Sequence, residues 1–189
     1  MRTETTTRTL YQFGELSDDA KQHALEKLRC INVDYDWWEF AYETIQKAGE
    51  CLGIACTVSN FDLDRDAYVV LCGGYSYRKN WRAALRAEFG GDSLPELDRI
   101  GAWLQAAQKC MFWTGYATLE SGRYGTLYSA DADHGGQHDI DGLIDGLRSF
   151  EYWAWRLLYN EYEYLTSDDA IKETIAANEY EFDEDGDLA

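Results

Sequence analysis

Two histidines come closest, by type and spacing, to a site that could do chemistry. His134 and His138 are four residues apart, and on a helix that spacing puts two imidazoles on one face, where they can bind a divalent cation. Gly135 and Gly136 lie between them and disfavour a helix there. Four aspartates surround the pair: Asp131, Asp133, Asp139 and Asp141. We predict no metal site and no cofactor, and we keep a metal-assisted enzyme built on this loop as an alternative.

Three aspartates, Asp62, Asp64 and Asp66, resemble the start of a calcium-binding loop. Such a loop needs a glycine at its sixth position and a glutamate at its twelfth. Counted from Asp62, those positions hold Ala67 and Gly73. The pattern therefore predicts a hairpin turn with solvated carboxylates.

Signatures of nucleophilic or phosphate-transfer chemistry are absent from the sequence. It contains no GxSxG motif, and the glycine pairs at 73–74 and 90–91 match neither a P-loop nor a dinucleotide fingerprint. We therefore expect no catalytic residues and no enzymatic activity. An odd number of cysteines without disulfide spacing predicts free thiols in a reducing cytoplasm. These are Cys30, Cys51, Cys56, Cys72 and Cys110.

The charge balance narrows the class of partner. The formal net charge is −18, and residues 160–189 contain eleven Asp or Glu and one Lys. This composition argues against direct nucleic-acid binding, which needs Lys and Arg at the phosphates, and against docking on an anionic membrane. It favours a partner with a basic surface. The sequence contains no run of about eighteen apolar residues, so we expect no membrane span. We expect a cytoplasmic location.

One basic island, formed by Arg78, Lys79, Arg82 and Arg86, lies among aromatic residues. Arginines beside aromatic rings suit a nucleic acid or an acidic protein patch. The alternative, which we favour, is that the island pairs with the acidic C-terminal segment of the same chain.

Periodicity and turn residues predict the α+β class, with helices packed on short antiparallel β-hairpins. We expect a single compact domain over 1–178 and an acidic C-terminal tail over 179–189, partly in a strand at Tyr180–Phe182. Ser17 and Ser167, each followed by two aspartates, have the pattern of helix N-caps, with Thr166 as the alternative cap of the last helix, and Gly53 has the pattern of a helix end. Strands are expected at Thr5–Phe13, Ile54–Asp62, Ala67–Tyr77, Tyr116–Ser121 and Arg123–Ala130. Helices are expected from Ser17 to Asn32, and at Asp34–Leu52, Asn80–Phe89, Leu94–Trp113, Ile140–Tyr164 and Ser167–Ala177.

The acidic segment has the charge density of a nucleic acid. Thirty helical residues span about 45 Å, so eleven carboxylates would give one charge per roughly 4 Å. A single DNA strand carries one charge per about 3.4 Å. We therefore predict a partner-binding surface in which carboxylates supply charge and tryptophans anchor the contact. Its residues are Asp34, Asp36, Trp37, Trp38, Glu39, Glu43, Glu161, Glu163, Asp168, Asp169, Glu173, Glu179 and Glu181.

Two stretches carry a family resemblance. They are LYQFGELSDDAKQHALEKLRCINVDYDWWEF, residues 10–40, and EYEYLTSDDAIKETIAANEYEFDEDGDL, residues 161–188. Both resemble a widespread family of small bacteriophage and prophage proteins, some of them labelled antitoxin-like, in which a strand precedes an "ELSDEAKEKA" helix. The family brings no catalytic residues to this chain. Its phage setting implies a role in the contest between phage and host.

Acidity and resemblance together suggest an inhibitor of a host DNA-targeting defence complex, such as a CRISPR effector or a restriction enzyme. It would bind the basic, nucleic-acid-binding surface of that complex stoichiometrically, as a DNA mimic. An antitoxin-like module that neutralises a basic toxin is the second hypothesis, and the metal-assisted enzyme is the third.

Overall fold

The computed structural model describes residues 8–65, 68–90 and 95–189. Within these ranges the chain has six α-helices and six β-strands in two antiparallel sheets, so the α+β prediction is confirmed. The chain divides into two compact units. The terminal unit combines Met1–Trp37 with Asn160–Ala189, and the central unit is Trp38–Tyr159. None of the described helices combines the length and apolarity needed to cross a bilayer.

The terminal unit is built from both ends of the chain. Its elements are β1 (Tyr11–Gln12), a 3-10 helix (Phe13–Glu15), α1 (Asp18–Lys27), α6 (Asp168–Ala177) and β6 (Glu181–Phe182). β1 and β6 pair antiparallel, with Tyr11 opposite Phe182. Residues 179–189, which we predicted as a tail, thus contribute a strand to this unit. Its buried core consists of Leu16, Ala20, Ala24, Leu25, Ile171, Ile175 and Phe182.

Both predicted serine caps are confirmed. The hydroxyl oxygen of Ser17 accepts a hydrogen bond from the amide of Ala20 at 3.2 Å, and that of Ser167 accepts one from Ala170 at 3.3 Å. Each cap satisfies an amide that the helix itself leaves unpaired, which stabilises a helix by about 1 kcal/mol.

The central unit holds a four-stranded antiparallel sheet in the order β2-β3-β4-β5. Both predicted hairpins are present, and the helices α3 and α4 are inserted between them. The strands are β2 (Ile54–Asp62), β3 (Tyr68–Ser76), β4 (Tyr116–Gly122) and β5 (Gly125–Asp131). The helices are α2 (Glu39–Leu52), α3 (Trp81–Phe89), α4 (Pro95–Cys110) and α5 (Gln137–Leu165), whose last residues from Asn160 belong to the terminal unit.

Glycine is required where α2 turns into β2. Gly53 caps the helix with a φ of 87°, a left-handed conformation that other residues adopt at a cost. A Cβ atom there would also lie 2.1 Å from the carbonyl oxygen of Ser76. The predicted helix end at Gly53 is therefore confirmed, and the glycine serves both the turn and the close approach of β3.

Several predicted boundaries are wrong. α1 ends at Lys27 instead of Asn32, because the residues after it form turns, and α5 begins at Gln137, three residues before the predicted Ile140. α2 begins at Glu39 instead of Asp34, because the chain turns before it, with the amide of Trp37 bonded to the carbonyl of Tyr35 at 2.7 Å. β1 is two residues long, because its partner β6 offers only two residues to pair with. The first three residues of the predicted strand, Thr5–Thr7, lie outside the described residues.

α4 ends at Cys110, short of the predicted Trp113, in a strained turn. Phe112 and Trp113 have φ values of 51° and 68°, a left-handed conformation that costs a non-glycine residue about 1–2 kcal/mol. The buried side chain of Gln108 holds this turn closed. Its amide nitrogen donates to the carbonyl of Gly115 at 2.7 Å, and its oxygen accepts from the Gly115 amide at 3.2 Å.

Candidate functional site

Negative charge is concentrated in the terminal unit. Its described residues contain seventeen Asp and Glu against five Lys and Arg, a formal charge of −12. The central unit is about twice as long and carries only −6 over its whole sequence. A third of the chain therefore holds two thirds of its net charge.

Helices fix most of the predicted C-terminal carboxylates. Asp169 and Glu173 are exposed and lie four residues apart on α6, which separates them by about 6 Å along the helix axis. Glu163 is exposed near the end of α5. Glu179 and Glu181 are exposed just after α6. These side chains extend from main chain that is hydrogen-bonded in helices, in a helix end or in a strand.

Internal cations neutralise only part of this set. Asp168 pairs with Arg29 at 2.6 Å, and Asp169 lies 3.5 Å from Lys172. The remaining five predicted C-terminal acids make no ion pair with any residue that the structure describes. These are Glu161, which is half-buried, and the exposed Glu163, Glu173, Glu179 and Glu181.

Two further acids have a structural role. The carboxylate of Asp183 accepts the amide of Asp187 at 2.9 Å and pairs with Arg8 at 2.9 Å, which together lower its pKa. Hydrogen bonds from Lys27 and His23 lower the pKa of Asp187. A carboxyl group whose pKa is lowered by folding stabilises the fold at pH values above the ordinary carboxyl pKa. This stability is lost as the pH falls below about 4. The two acids fix the end of the chain.

Glu179 occupies a position where glycine would fit better. It follows the C-cap of α6 with a φ of 53°, and the amide of the next residue, Tyr180, bonds back to the carbonyl of Ile175 at 3.1 Å. That is a Schellman ending, which usually has glycine at this residue. A carboxylate also repels the negative end of the helix dipole. Conformation and charge both disfavour glutamate here, which is the kind of local cost that functional residues carry.

The predicted N-terminal residues divide between exposed acids and a buried ring. Asp34 and Asp36 are exposed in the turn that precedes α2. Trp37 is 8% exposed and packs against Tyr162, with ring centroids 5.7 Å apart. The prediction that Trp37 anchors a partner is therefore wrong, because burial places this ring in the terminal unit's interior.

The other three residues of the predicted partner-binding surface, Trp38, Glu39 and Glu43, belong to the central unit. Trp38 is half-buried against Phe61, with ring centroids 5.8 Å apart. Glu39 and Glu43 are exposed on α2, and Glu43 lies 4.0 Å from Lys47. Glu39 makes no ion pair among the described residues, whereas the five unneutralised C-terminal acids all belong to the terminal unit.

The histidine pair does not form the arrangement that would bind a metal. α5 begins at Gln137, so His138 is helical while His134 lies in the preceding loop, where its ring packs edge-on against Phe112 at 5.5 Å. The two imidazoles therefore do not share a helix face. Over the described parts of the chain, no group of three or more His, Cys, Asp or Glu could hold a metal ion.

The basic island finds partners within the central unit. Arg82 lies 3.7 Å from Asp98, and Arg78 donates to the main-chain oxygen of Glu50. Lys79 and Arg86 make no ion pair among the described residues. The recorded partners of this island are thus different from the acidic C-terminal segment that we favoured.

A half-buried carboxylate, Glu151, escaped the sequence analysis. The hydroxyls of Thr126, at 2.7 Å, and of Tyr128 donate to its two oxygens. Burial raises the pKa of Glu151, and burial followed by the Glu151 charge raises that of Tyr128. The available signal was its place four residues after Leu147 on the apolar stripe of α5. The cluster holds β5 against α5.

The raised pKa of Glu151 predicts a pH-dependent stability difference. A folded-state pKa above the ordinary value favours folding while the group is protonated, and that stability is lost as the pH rises from about 4.5 through the folded pKa. Glu151→Gln removes the ionisation. The wild type should therefore lose stability relative to this variant between pH 5 and pH 8 in urea unfolding. Glu120→Gln, at an exposed position of β4, is the control, and an equal pH response in both variants would contradict the assignment.

The chain has no significant match among protein-family models, curated protein sequences or solved structures. Function is therefore inferred from the charges and contacts described above.

Proposed function

We propose that this protein is a phage-encoded inhibitor of a host DNA-targeting defence complex, such as a CRISPR effector or a restriction enzyme. It acts in the host cytoplasm by binding, without catalysis. The terminal unit occupies the basic surface on which the partner holds nucleic acid, in a one-to-one complex. One observation carries the proposal: a unit with a charge of −12 presents five acids that no described cation neutralises.

The spacing of the acids supports the mimicry. Asp169, whose side chain stays 91% exposed beside Lys172 in a weak surface pair, and Glu173 are separated by about 6 Å along α6. Two steps along one strand of DNA separate its charges by about 7 Å. Because folded elements fix the main chain that carries these carboxylates, the terminal unit loses little backbone entropy when it binds the partner. A basic groove that binds the phosphates of DNA would therefore find a similar spacing of negative charges on this surface.

The family resemblance points to the same unit. The two stretches that carry it, residues 10–40 and 161–188, nearly coincide with the two segments of the terminal unit. They lie more than a hundred residues apart in the chain, yet they pair through β1 and β6. We therefore propose that the role in the contest between phage and host, which the resemblance implies, belongs to the terminal unit.

Charge reversal tests the proposal. The variant changes four exposed acids of the terminal unit to lysine: Glu163, Asp169, Glu173 and Glu179. Inhibition of DNA cleavage by purified restriction enzymes and CRISPR effectors should weaken at least about a hundredfold, at about 0.7 kcal/mol per reversed charge. The inhibition by the wild type should also weaken as salt rises, because screening shortens the reach of exposed charges from about 10 Å at 0.1 M to about 3 Å at 1 M.

A matched control changes four exposed acids of the central unit to lysine: Asp64, Glu120, Asp133 and Asp141. Both variants have the same net charge, so equal losses would mean that overall charge acts without a defined surface. Inhibition that survives in the terminal-unit variant, or a wild type that inhibits none of the enzymes, contradicts the proposal. Co-purification with a small basic protein from the same operon would favour the antitoxin hypothesis instead.

Glu179→Gly separates stability from function. Glycine removes the left-handed strain at the end of α6 and the repulsion by the helix dipole, so the free energy of unfolding should rise by about 1 kcal/mol. Binding should weaken, because one acid of the array is lost. A variant that is more stable and inhibits as well as the wild type would show that Glu179 has no part in the surface.

A further inference from the structure

We propose that the central unit carries a binding site for a small oligophosphate. It is a shallow depression of about 290 Å³ at the start of α3, lined by three cationic side chains, Lys79, Arg82 and Arg86. None of the described residues that line it is acidic. The depression lies at the small end of ligand pockets, so it suits an ionic group more than a whole organic cofactor. This inference concerns the other unit and does not rest on the proposed function.

The main chain adds donors to the same depression. α3 begins at Trp81, and the side chain of its N-cap, Asn80, makes no capping hydrogen bond. Trp81, Arg82 and Ala83, the residues of the first turn, are among those that line the depression, and their amides have no partner within a helix. Phosphate oxygens accept from such amides and from arginine and lysine together. Cations and amides therefore converge on one place.

The central cation is held in position. The guanidinium of Arg82 lies over the indole of Trp81, 4.4 Å from the ring centroid. Its Nε is 3.7 Å from a carboxylate oxygen of Asp98, a distance beyond hydrogen bonding. Stacking fixes the plane of the guanidinium and leaves its donors for a ligand. A pre-positioned arginine binds phosphate with a smaller loss of side-chain entropy.

The net charge of the chain favours a small anionic ligand over a polynucleotide. A long polyanion is repelled by the whole chain, whose formal charge is −18. A small anion in the depression mainly senses charges within a Debye length, about 8 Å at physiological salt. The lining brings three cations there, against the Asp98 carboxylate that lies 3.7 Å from Arg82. The proposed ligand is therefore a small compound with linked phosphate groups, such as pyrophosphate, and not a nucleic-acid strand.

Titration with pyrophosphate tests the site. In the chain of 189 residues, the backbone NMR signals of Trp81, Arg82 and Ala83 should shift saturably with pyrophosphate and not with sodium chloride at equal ionic strength. In Lys79→Glu/Arg86→Glu the affinity should fall at least about tenfold, because two charge-assisted contacts are lost. Both side chains are exposed, so the fold is retained. Lys109→Glu/Arg123→Glu, at two exposed cations elsewhere in the unit, should bind like the wild type.

Three results would overturn the site: no saturable shift in the wild type, equal affinity in the wild type and the Lys79/Arg86 variant, or equal losses in both double variants. A labelled single-stranded DNA oligonucleotide is the second probe. If it binds more tightly than pyrophosphate at physiological salt and is lost in the same variant, the small-ligand assignment is wrong.

Discussion

Phe182→Ala should lower the free energy of unfolding of the terminal unit by about 3–5 kcal/mol. Phe182 is fully buried, packs in the core of that unit and meets Phe13 edge-on with ring centroids 6.1 Å apart. Domains are stable by only about 5–15 kcal/mol, so this one ring supplies a large share. Urea unfolding followed by far-ultraviolet circular dichroism measures the loss, and hydrogen exchange at the Ile175-bonded amide of Tyr180 reports on the C-terminal segment.

The same variant distinguishes a fixed array of acids from net charge. Phe182→Ala leaves every carboxylate in place but releases β6 and the residues beside it, so inhibition should weaken although the charge is unchanged. Leu188→Ala is the control, since Leu188 forms a bridge with Phe182 but is itself 48% exposed. Undiminished inhibition by a destabilised Phe182→Ala protein would show that a mobile acidic segment is sufficient.

Gln108→Ala is expected to cost the central unit about 3 kcal/mol. The side chain is fully buried, and its amide bonds both the carbonyl and the amide of Gly115. Each buried group left without a partner costs about 1–3 kcal/mol. Without the two hydrogen bonds from Gln108, the strained turn at Phe112 and Trp113 is also released. The first residues of β4 should therefore exchange their amide hydrogens faster. Urea unfolding and hydrogen exchange measure the two effects.

Gln105→Ala is the matched control for that experiment. Gln105 lies one turn earlier on α4, is half-exposed and makes no recorded hydrogen bond among the described residues. Its replacement should change the free energy of unfolding by no more than about 0.5 kcal/mol. Similar losses in both variants would mean that Gln108 contributes through helix propensity and not through its bonds to Gly115.

Features that depend on nearby residues could be predicted from the sequence. Ser17 and Ser167 cap helices because their hydroxyls meet an amide three residues away, and Gly53 ends α2 through its own φ. Alternating patterns and turn residues likewise indicated both hairpins. Such signals are local, because a few consecutive residues are enough to determine each cap or turn.

Features that depend on distant residues could not be predicted. Arg8 neutralises Asp183 across a separation of 175 residues, and no local pattern distinguishes Asp183 from the exposed acids near it. Trp37, which we predicted to lie in the helix Asp34–Leu52 and to anchor a partner, precedes α2 and packs with Tyr162, 125 residues later in the chain. Gln108 and Glu151 resemble ordinary polar helix residues until their partners are known. The sequence therefore indicated where acids abound and could not show which of them are neutralised.

The pairing of β1 with β6 sets the order in which the protein can fold during synthesis. The central unit is complete once residue 159 has been translated. The N-terminal segment has to wait for β6, whose last residue, Phe182, comes 23 residues later, about 1–5 s of translation at 5–20 residues per second. A nascent chain can thus complete its central unit before its acidic unit, and a product terminated before β6 lacks the strand that pairs with β1.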